Sequence, residues 1–235
     1  MIGFFNYTVW LTYLSLLSAV MGILVSLHGG GHPYWGIFFL MFSGFCDAFD
    51  GRVARSKKNR TEIEKGFGIQ IDSLSDLVAF GVLPACIGEA MGQSGPGIAG
   101  VTRLRFHGNN LIWVSALMLA VMMWYCLAAL IRLAYFNVME EERQKTEGGC
   151  RKTYEGLPVT SSALIFPTIL LLQYVTTFDI TILYFIALIV TGFLFLSKIR
   201  ICKPGLRGIL IMVLIGMAEG VLLLLGMILV KHVHL

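Results

Sequence analysis

The chain has 235 residues, of which 57% are hydrophobic and 14% are charged, and its mean hydropathy is +0.78. A soluble domain carries charge on about a quarter of its residues, so this composition excludes a soluble globular protein and predicts a membrane protein with short loops. The net charge of +4 excludes the strongly basic surface of a nucleic-acid-binding protein and fits loops that face anionic lipid. We therefore expect one transmembrane domain over residues 1–235.

The apolar residues fall into segments that reach or approach the roughly 20 residues that a helix needs to cross a bilayer. These segments cover residues 8–28, 34–55, 67–91, 110–138, 157–176, 179–197 and 206–230. The connections include a GGGHP turn at 29–33, a polar loop at 56–66, a glycine-rich segment at 92–109 and a charged loop at 139–155. The pattern predicts an all-α membrane helix bundle of about seven transmembrane helices.

Lysine and arginine residues are distributed unequally between the two sides of such a bundle. Of the 18 basic residues, all but three fall on the side that holds the second-to-third, fourth-to-fifth and sixth-to-seventh connections. The other side holds Arg103, Arg105 and Lys231. Because basic loops tend to stay in the cytoplasm, we expect the first side to be cytoplasmic in the cell membrane, with the N-terminus inside and the C-terminus outside.

Four aspartates lie close together in the polar stretch at residues 46–76, which reads CDAFDGRVARSKKNRTEIEKGFGIQIDSLSD. Asp47 and Asp50 are three residues apart and Asp72 and Asp76 are four apart, so each pair shares one face of a helix. A carboxylate near or inside a membrane costs a few kcal/mol. Four clustered carboxylates therefore require a partner that offsets their charge.

A divalent metal is the partner that fits this pattern best. Like charges at close range repel one another, and hard carboxylate oxygens bind Mg²⁺, Mn²⁺ or Ca²⁺, of which Mg²⁺ often shares its ligand shell with substrate phosphates. The small residues Gly51, Ala54 and Gly68 leave space for a phosphorylated ligand to approach the backbone. The alternative is that the aspartates cap helix ends or pair with Arg52 and Arg55.

The stretch DAFDGRVAR…GIQIDSLSD resembles the DxxDGxxAR…GxxxDxxxD motif of the CDP-alcohol phosphotransferases. The resemblance implies a six-helix core, here with an additional C-terminal helix, and transfer of a phosphatidyl group from CDP-diacylglycerol to an alcohol with release of CMP. It also implies a homodimer and two divalent ions, Mg²⁺ or Mn²⁺, as cofactors. The spacing between Arg55 and Gly68 is longer than is usual in the family, and we expect the extra residues to lengthen the loop without moving the aspartates.

The same resemblance implies a role for each residue of the motif. Asp76 corresponds to a metal ligand or to the general base that takes the proton from the attacking hydroxyl. The metal ligands correspond to Asp47, Asp50, Asp72 and Asp76. The contacts with the CDP-lipid correspond to Asp47, Asp50, Gly51, Ala54, Arg55, Gly68 and Asp72.

Three further segments resemble the phosphatidylserine synthase branch of this family: DSLSDLVAFGVLPA, IRLAYFNV and YEGLPVTSSA. This branch implies L-serine as the acceptor, whose carboxylate suits a guanidinium group. Arg132, inside an apolar helix, is the candidate for that carboxylate. Asn137, five residues later, is a further candidate for serine binding or shapes the end of the helix, and Glu155 is a candidate for the ammonium group. Tyr135 occupies a position where the branch usually has a second arginine.

Other interpretations stay open from the sequence. Arg132 could extend to the membrane interface and Glu155 could begin a helix. The donor could be an archaetidyl lipid, and the acceptor could be glycerol phosphate or inositol phosphate, which the basic residues from Arg143 to Lys152 would suit. Outside this family, acidic clusters in membranes also mark metal-ion transporters, although internal repeats are not visible here. A non-catalytic lipid-binding scaffold is a third class.

Overall fold

The computed structural model describes residues 3–28, 33–57, 59–93, 111–146, 153–175, 179–202 and 205–233. Its α-helices are α1 Trp10–Leu27, α2 Pro33–Ser56, α3 Glu62–Asp76, α4 Leu83–Gln93, α5 Leu111–Thr146, α6 Ser162–Val175, α7 Thr181–Phe195 and α8 Leu206–Val233. A π-helical turn, Leu77–Val82, joins α3 to α4, and 3₁₀ turns at Tyr7–Val9 and Val159–Ser161 precede α1 and α6. The predicted all-α bundle is confirmed, since every predicted apolar segment is largely helical.

Several predictions fall on residues outside these ranges. They include nearly all of the GGGHP turn and of the glycine-rich connection, which are described only at Pro33 and at residues 92–93. They also include Arg103, Arg105 and part of the charged loop that precedes residue 153.

Four helical segments of the described residues are long and apolar enough to cross a membrane. They are Tyr7–Leu27, Glu62–Gly92, Trp113–Arg143 and Leu206–Leu229. Helices α6 and α7 are apolar but shorter, and α2 ends in the polar stretch that carries two of the aspartates. Large apolar side chains are exposed around the bundle, many of them on α8, as expected for a surface in contact with lipid. The protein is an integral membrane helix bundle, whereas the number of spans stays a prediction.

An aromatic core holds α5, α6 and α7 together. Tyr125, Phe166, Tyr184 and Phe195 are at most 1% exposed. The rings of Tyr125 and Phe166 meet edge to face with their centroids 5.7 Å apart, and those of Phe166 and Tyr184 lie 4.9 Å apart. Each such pair contributes about 0.5–1.5 kcal/mol beyond the burial of its surface. The core therefore fixes the relative positions of the helices that carry the predicted acceptor residues.

The π-helical turn Leu77–Val82 directly follows the acidic end of α3. Pro84 has no amide hydrogen, so the Phe80 carbonyl lacks the donor that it would have in a regular α-helix. The Tyr125 hydroxyl donates to this carbonyl at 2.7 Å, and the Ser162 hydroxyl lies 3.5 Å from it. Side chains of α5 and α6 thus satisfy a backbone group that the proline leaves without its usual donor.

The connection between α2 and α3 is shorter than predicted. The polar loop predicted at 56–66 is wrong in extent, because α2 reaches Ser56 and α3 begins at Glu62. The Thr61 hydroxyl accepts a hydrogen bond from the Glu64 amide at 3.2 Å, and the Glu64 carboxylate accepts one from the Thr61 amide at 3.0 Å. This capping box starts the helix early, so most of the residues between Arg55 and Gly68 are helical.

The charged loop predicted at 139–155 is also wrong at both ends. Helix α5 continues to Thr146, and the end of the loop forms strand β1, Thr153–Glu155, which pairs antiparallel with β2, Arg200–Cys202. The Gly156 amide donates to the Ile199 carbonyl at 2.7 Å and extends this pairing by one residue. We call β1, β2 and residues 156–157 the strand clasp, since it joins the connection after α5 to the connection after α7.

The polar segments that the sequence assigns to one side of the membrane meet at one end of the bundle. Near the N-terminus, the Asn6 side chain donates to the Glu64 carboxylate at 3.1 Å, and Lys57 forms an ion pair with the same carboxylate at 2.7 Å. The strand clasp joins two further connections. This end of the molecule also carries the four aspartates.

Candidate metal centre

Helices α2 and α3 bring the four predicted aspartates into one cluster. Carboxylate oxygens of Asp47, Asp50 and Asp72 lie within 4.8 Å of one another. The carboxyl groups also interact in pairs, Asp50 with Asp72 and Asp47 with Asp76. Asp50 is 7% exposed and Asp76 is 8% exposed. The two helical spacings thus combine into a single, largely buried acidic site.

Helix α1 packs against α2 and α3 and contacts this cluster. The Thr12 hydroxyl donates to Oδ2 of Asp50 at 3.2 Å, and the Ser75 hydroxyl donates to the Thr12 carbonyl at 3.2 Å. Small side chains let α1 approach α2 closely, so that the Ser43 hydroxyl donates to the Ser15 carbonyl at 3.0 Å. Because these contacts are buried, they hold the carboxylates in position through the packing of three helices.

The donor set of the cluster suits a hard divalent cation. Its ligand atoms are carboxylate oxygens, and no histidine or cysteine in the described part of the chain joins the group. Oxygen ligands of this kind bind Mg²⁺ or Mn²⁺, and a cation would offset the repulsion between carboxylates that are held together in a buried position. Asp47, Asp50 and Asp72 would hold such an ion, with Asp76 beside them, and the ion would neutralise charge on a bound phosphate.

Two glycines of the motif lie at positions that arginine side chains cover. A Cβ atom added to Gly51 would lie 3.4 Å from Nη1 of Arg55, and one added to Gly68 would lie 2.6 Å from Nη2 of Arg60. Nη1 of Arg60 also donates to the Ala54 carbonyl at 3.4 Å. Guanidinium groups, which are suited to phosphate, therefore lie over both glycines of the motif.

Arg132, predicted to bind the acceptor carboxylate, is held at the strand clasp. Its side chain is 6% exposed, its Nε donates to the Leu157 carbonyl at 3.3 Å, and its guanidinium lies 5.4 Å from the centroid of the Phe136 ring. The backbone of Gly156 has a φ of +74°, and a Cβ atom there would lie 2.7 Å from the Phe195 carbonyl oxygen. Arg132 is therefore buried against the EGLP segment rather than extended to the membrane interface.

The other two predicted acceptor residues occupy different surroundings. The Glu155 carboxylate accepts a long hydrogen bond of 3.5 Å from the Tyr135 hydroxyl, so the tyrosine that replaces an arginine of the branch faces this acid. Asn137 donates to the Ser73 hydroxyl at 2.7 Å, and Ser73 directly follows an aspartate of the cluster. Arg132 thus contacts the clasp and Glu155 forms part of it, whereas Asn137 packs against the acidic helix.

Three residues of the site were missed by the sequence prediction. Thr12 contacts an aspartate 38 residues away, and Ser73 contacts an asparagine 64 residues away, so no local pattern points to either. Arg60 was assigned to a solvated loop, although the capping box after it would have predicted that the chain turns back at this point.

Clustered carboxylates, guanidinium groups and small residues in a membrane helix bundle form a site suited to a metal-bound phosphate ester of a lipid. Residues 5–197 match the model of the CDP-alcohol phosphatidyltransferase family, and the chain belongs to that family. The match includes all four aspartates and the strand β1, and it ends before α8.

The chain is similar to the CDP-diacylglycerol–serine O-phosphatidyltransferase of Saccharomyces cerevisiae, with 33% identity over 151 residues that cover 63% of this chain and 46% of the yeast protein. It is 28% identical to the protein of that name from Methanocaldococcus jannaschii over 192 residues, which cover 81% of this chain and 72% of the relative. It is 30% identical to the archaetidylserine synthase of Methanothermobacter thermautotrophicus over 154 residues, 66% of this chain and 53% of the relative. The chain thus spans about half the length of the first and third of these relatives.

Proposed function

We propose that this chain transfers the phosphatidyl group of CDP-diacylglycerol to L-serine and releases CMP. The observation that carries the proposal is the direct contact between the two parts of the site. Asn137, from the segment that resembles the serine-using branch, donates to Ser73 within the acidic helix of the family motif. Relatives named for transfer to serine support this choice of acceptor.

The chemistry of the donor fits the molecule. Its acyl chains suit the exposed apolar helices, and its diphosphate suits a carboxylate site with two Mg²⁺ or Mn²⁺ ions, which would neutralise phosphate charge during transfer. The metal ligands in this proposal are Asp47, Asp50, Asp72 and Asp76. The nucleotide and its phosphates would contact Asp47, Asp50, Gly51, Ala54, Arg55, Gly68 and Asp72.

Asp76 is the proposed general base. The serine hydroxyl oxygen forms a bond to the phosphatidyl phosphorus, the bond from that phosphorus to the CMP oxygen breaks, and CMP leaves with the electron pair. The proton of the hydroxyl passes to the Asp76 carboxylate. Arg132 would hold the serine carboxylate and Glu155 its ammonium group, while Asn137 would fix the position of α5 against α3. Positioning of this kind supplies most of the rate enhancement in phosphoryl transfer.

The proposal includes the location and assembly of the protein. We place the site at the cytoplasmic face of the cell membrane, because the connections rich in lysine and arginine lie on its side of the bundle and because CMP and serine are soluble in the cytosol. A single domain over residues 1–235 and a homodimer complete the proposal.

A reporter fused to the C-terminus tests the orientation, and a cytoplasmic signal there would contradict an odd number of spans.

The reaction is tested with the purified membrane protein, CDP-diacylglycerol, and Mn²⁺ or Mg²⁺. CMP release is measured with L-serine, glycerol 3-phosphate or inositol phosphate as the acceptor, and we expect release with serine alone. Release with a phosphorylated acceptor would contradict the proposed acceptor, and no release with any of them would contradict the enzyme class. A parallel reaction with a CDP-linked ether lipid tests the second candidate donor, which the archaetidylserine synthase relative favours.

Replacement of the proposed base tests the role of Asp76. We expect Asp76→Asn to lower turnover by at least about 10²-fold, since general-base catalysis contributes that much or more, while binding of CDP-diacylglycerol changes little. The matched control is Glu62→Gln on the same helix, whose side chain is 86% exposed in a surface ion pair. Near-normal turnover of Asp76→Asn would refute the assignment of the base.

A further inference from the structure

We infer that Arg60, in the connection between α2 and α3, binds the diphosphate of the CDP-linked donor as a second guanidinium beside Arg55. This inference rests on the proposed function, because it assigns a residue to the donor site. It concerns a part of the chain where the spacing of the motif is longer than usual. Arg60 is not one of the motif residues.

The position of Arg60 mirrors that of Arg55. Each guanidinium lies over one glycine of the motif, Arg55 over Gly51 on α2 and Arg60 over Gly68 on α3. A glycine has no side chain, so each guanidinium can lie close over the main chain and keep its outer N–H groups for a phosphate. Two arginines thus lie over two glycines on the two helices that carry the acidic cluster.

Of the five N–H donors of the Arg60 guanidinium, two form hydrogen bonds with described residues and three are left. Nη2 donates to the Glu64 carbonyl at 3.1 Å, and Nη1 makes only a long contact of 3.4 Å with the Ala54 carbonyl. Its Nε is buried and has no hydrogen-bond partner within the described residues. A buried donor without an acceptor is uncommon and costs free energy. Since Nε is closed to a ligand in this position, a phosphate oxygen would accept from the second N–H groups of Nη1 and Nη2.

The charge of Arg60 is also free to act on a ligand. The neighbouring Lys57 pairs with the Glu64 carboxylate at 2.7 Å, and Lys65 pairs with Glu62 at 2.6 Å. The ion pairs of the described residues do not include Arg60. Its two hydrogen bonds are with backbone carbonyls, and its charge also acts on the nearby Glu64 carboxylate, which Lys57 pairs with directly. Metal ions at the aspartates and guanidinium groups on the opposite side would then neutralise the donor together.

A purely structural role makes a different prediction. If Arg60 serves only to cap the carbonyls at the end of α2 and the start of α3, its loss lowers thermal stability and leaves nucleotide affinity unchanged in the folded protein. The affinity for CDP distinguishes the two roles, because only a ligand-binding role predicts a loss of affinity. The affinity for cytidine, which has no phosphate, distinguishes a contact with the phosphates from a contact with the base.

The experiment measures binding of CDP and of cytidine to the full-length protein in nanodiscs with Mn²⁺, for the wild type, Arg60→Gln and Arg60→Lys. Lys65→Gln is the matched control, since Lys65 is a cation of the same region whose ion pair is exposed. We expect Arg60→Gln to weaken CDP binding about 10- to 100-fold, as loss of a charged hydrogen bond does. Arg60→Lys should fall between the wild type and the glutamine variant, and cytidine binding and the Lys65→Gln control should change less than about twofold.

Equal CDP affinity in wild type and Arg60→Gln overturns the inference, as does an equal loss of affinity for CDP and cytidine. If Arg60→Gln does not fold, Arg60→Lys decides, because wild-type CDP affinity in that variant contradicts a role for the guanidinium fork. The proposed function is judged separately by CMP release with serine. If the wild type binds CDP but does not react with serine, the role of Arg60 stands and the proposed acceptor is wrong. If the wild type does not bind CDP in the presence of metal, both proposals are wrong.

Discussion

The proposed donor side and the proposed acceptor side of the site are built in different ways. The donor side consists of side chains on two adjacent helices, where Asp47 and Asp50 face Asp72 and Asp76. The acceptor side consists of residues of α5 that are held by backbone groups of the strand clasp, as Arg132 is held by the Leu157 carbonyl. The donor side therefore depends on clustered carboxylates and the acceptor side depends on backbone conformation. Different substitutions should impair the two sides.

The largest effect is expected from loss of an aspartate that forms the acidic cluster. Asp50→Ala removes a buried carboxylate that contacts another ligand and Thr12. We expect CMP release to fall by roughly 10³-fold or more, because a metal-held charge stabilises the transition state by several kcal/mol. Titration with Mn²⁺, followed by electron paramagnetic resonance, should show weaker binding, whereas Glu62→Gln should bind Mn²⁺ normally. Unchanged Mn²⁺ affinity in Asp50→Ala would contradict a metal role for the donor side.

A medium effect is expected where the acceptor side depends on backbone conformation. Gly156→Ala places a Cβ atom on a residue with positive φ and 2.7 Å from the Phe195 carbonyl oxygen. The free energy of unfolding should fall by about 1–3 kcal/mol. The KM for serine should rise while CDP affinity changes little, because the clasp holds Arg132 and not the aspartates. Gly205→Ala is the control, since among the described residues other than its chain neighbours no heavy atom lies within 4 Å of its added Cβ. An equal loss of CDP affinity would show that the two sides are not separable.

The smallest effect is expected at the contact that joins the two sides. Asn137→Ala removes the donor to the Ser73 hydroxyl, which is worth about 1 kcal/mol, and turnover should fall by about fivefold. A double-mutant cycle with Ser73→Ala should show coupling of this size between the two residues. If Asn137 instead binds serine directly, its loss will raise the KM for serine and Ser73→Ala will have no effect on that change.

The donor side could be predicted from the sequence because its information is local. Helical spacing alone places Asp72 and Asp76 on one face, and the structure keeps that face. The early start of α3 was also predictable, since Thr61 and Glu64 have the spacing of a capping box. The predicted loop was wrong in extent because it was defined by its polar residues, several of which lie in the first turns of a helix.

The acceptor side could be predicted only in part. Arg132 was predicted as a site residue because it is a charge in an apolar helix. Its Nε donates to the backbone carbonyl of residue 157, and any residue type at that position has such a carbonyl. The two strands of the clasp have three residues each, too few for an alternating pattern to appear. Their pairing depends on the path of α6 and α7 between them, which the aromatic core determines.

The π-helical turn after Asp76 separates α3 from α4, so the side-chain directions of the two helices do not follow one continuous helical repeat. An α-helix turns by about 100° for each residue, so a regular helix would tie the direction of the aspartates to the direction of the apolar residues that follow. The wider turn at Leu77–Val82 removes this dependence. Pro84 follows the turn, and the Tyr125 hydroxyl donates to the Phe80 carbonyl within it. The segment before the turn carries the aspartates of the candidate metal centre, and the segment after it packs among the buried residues of the core. Removal of one residue within the turn would rotate one part against the other, and the bundle would lose either its site or its packing.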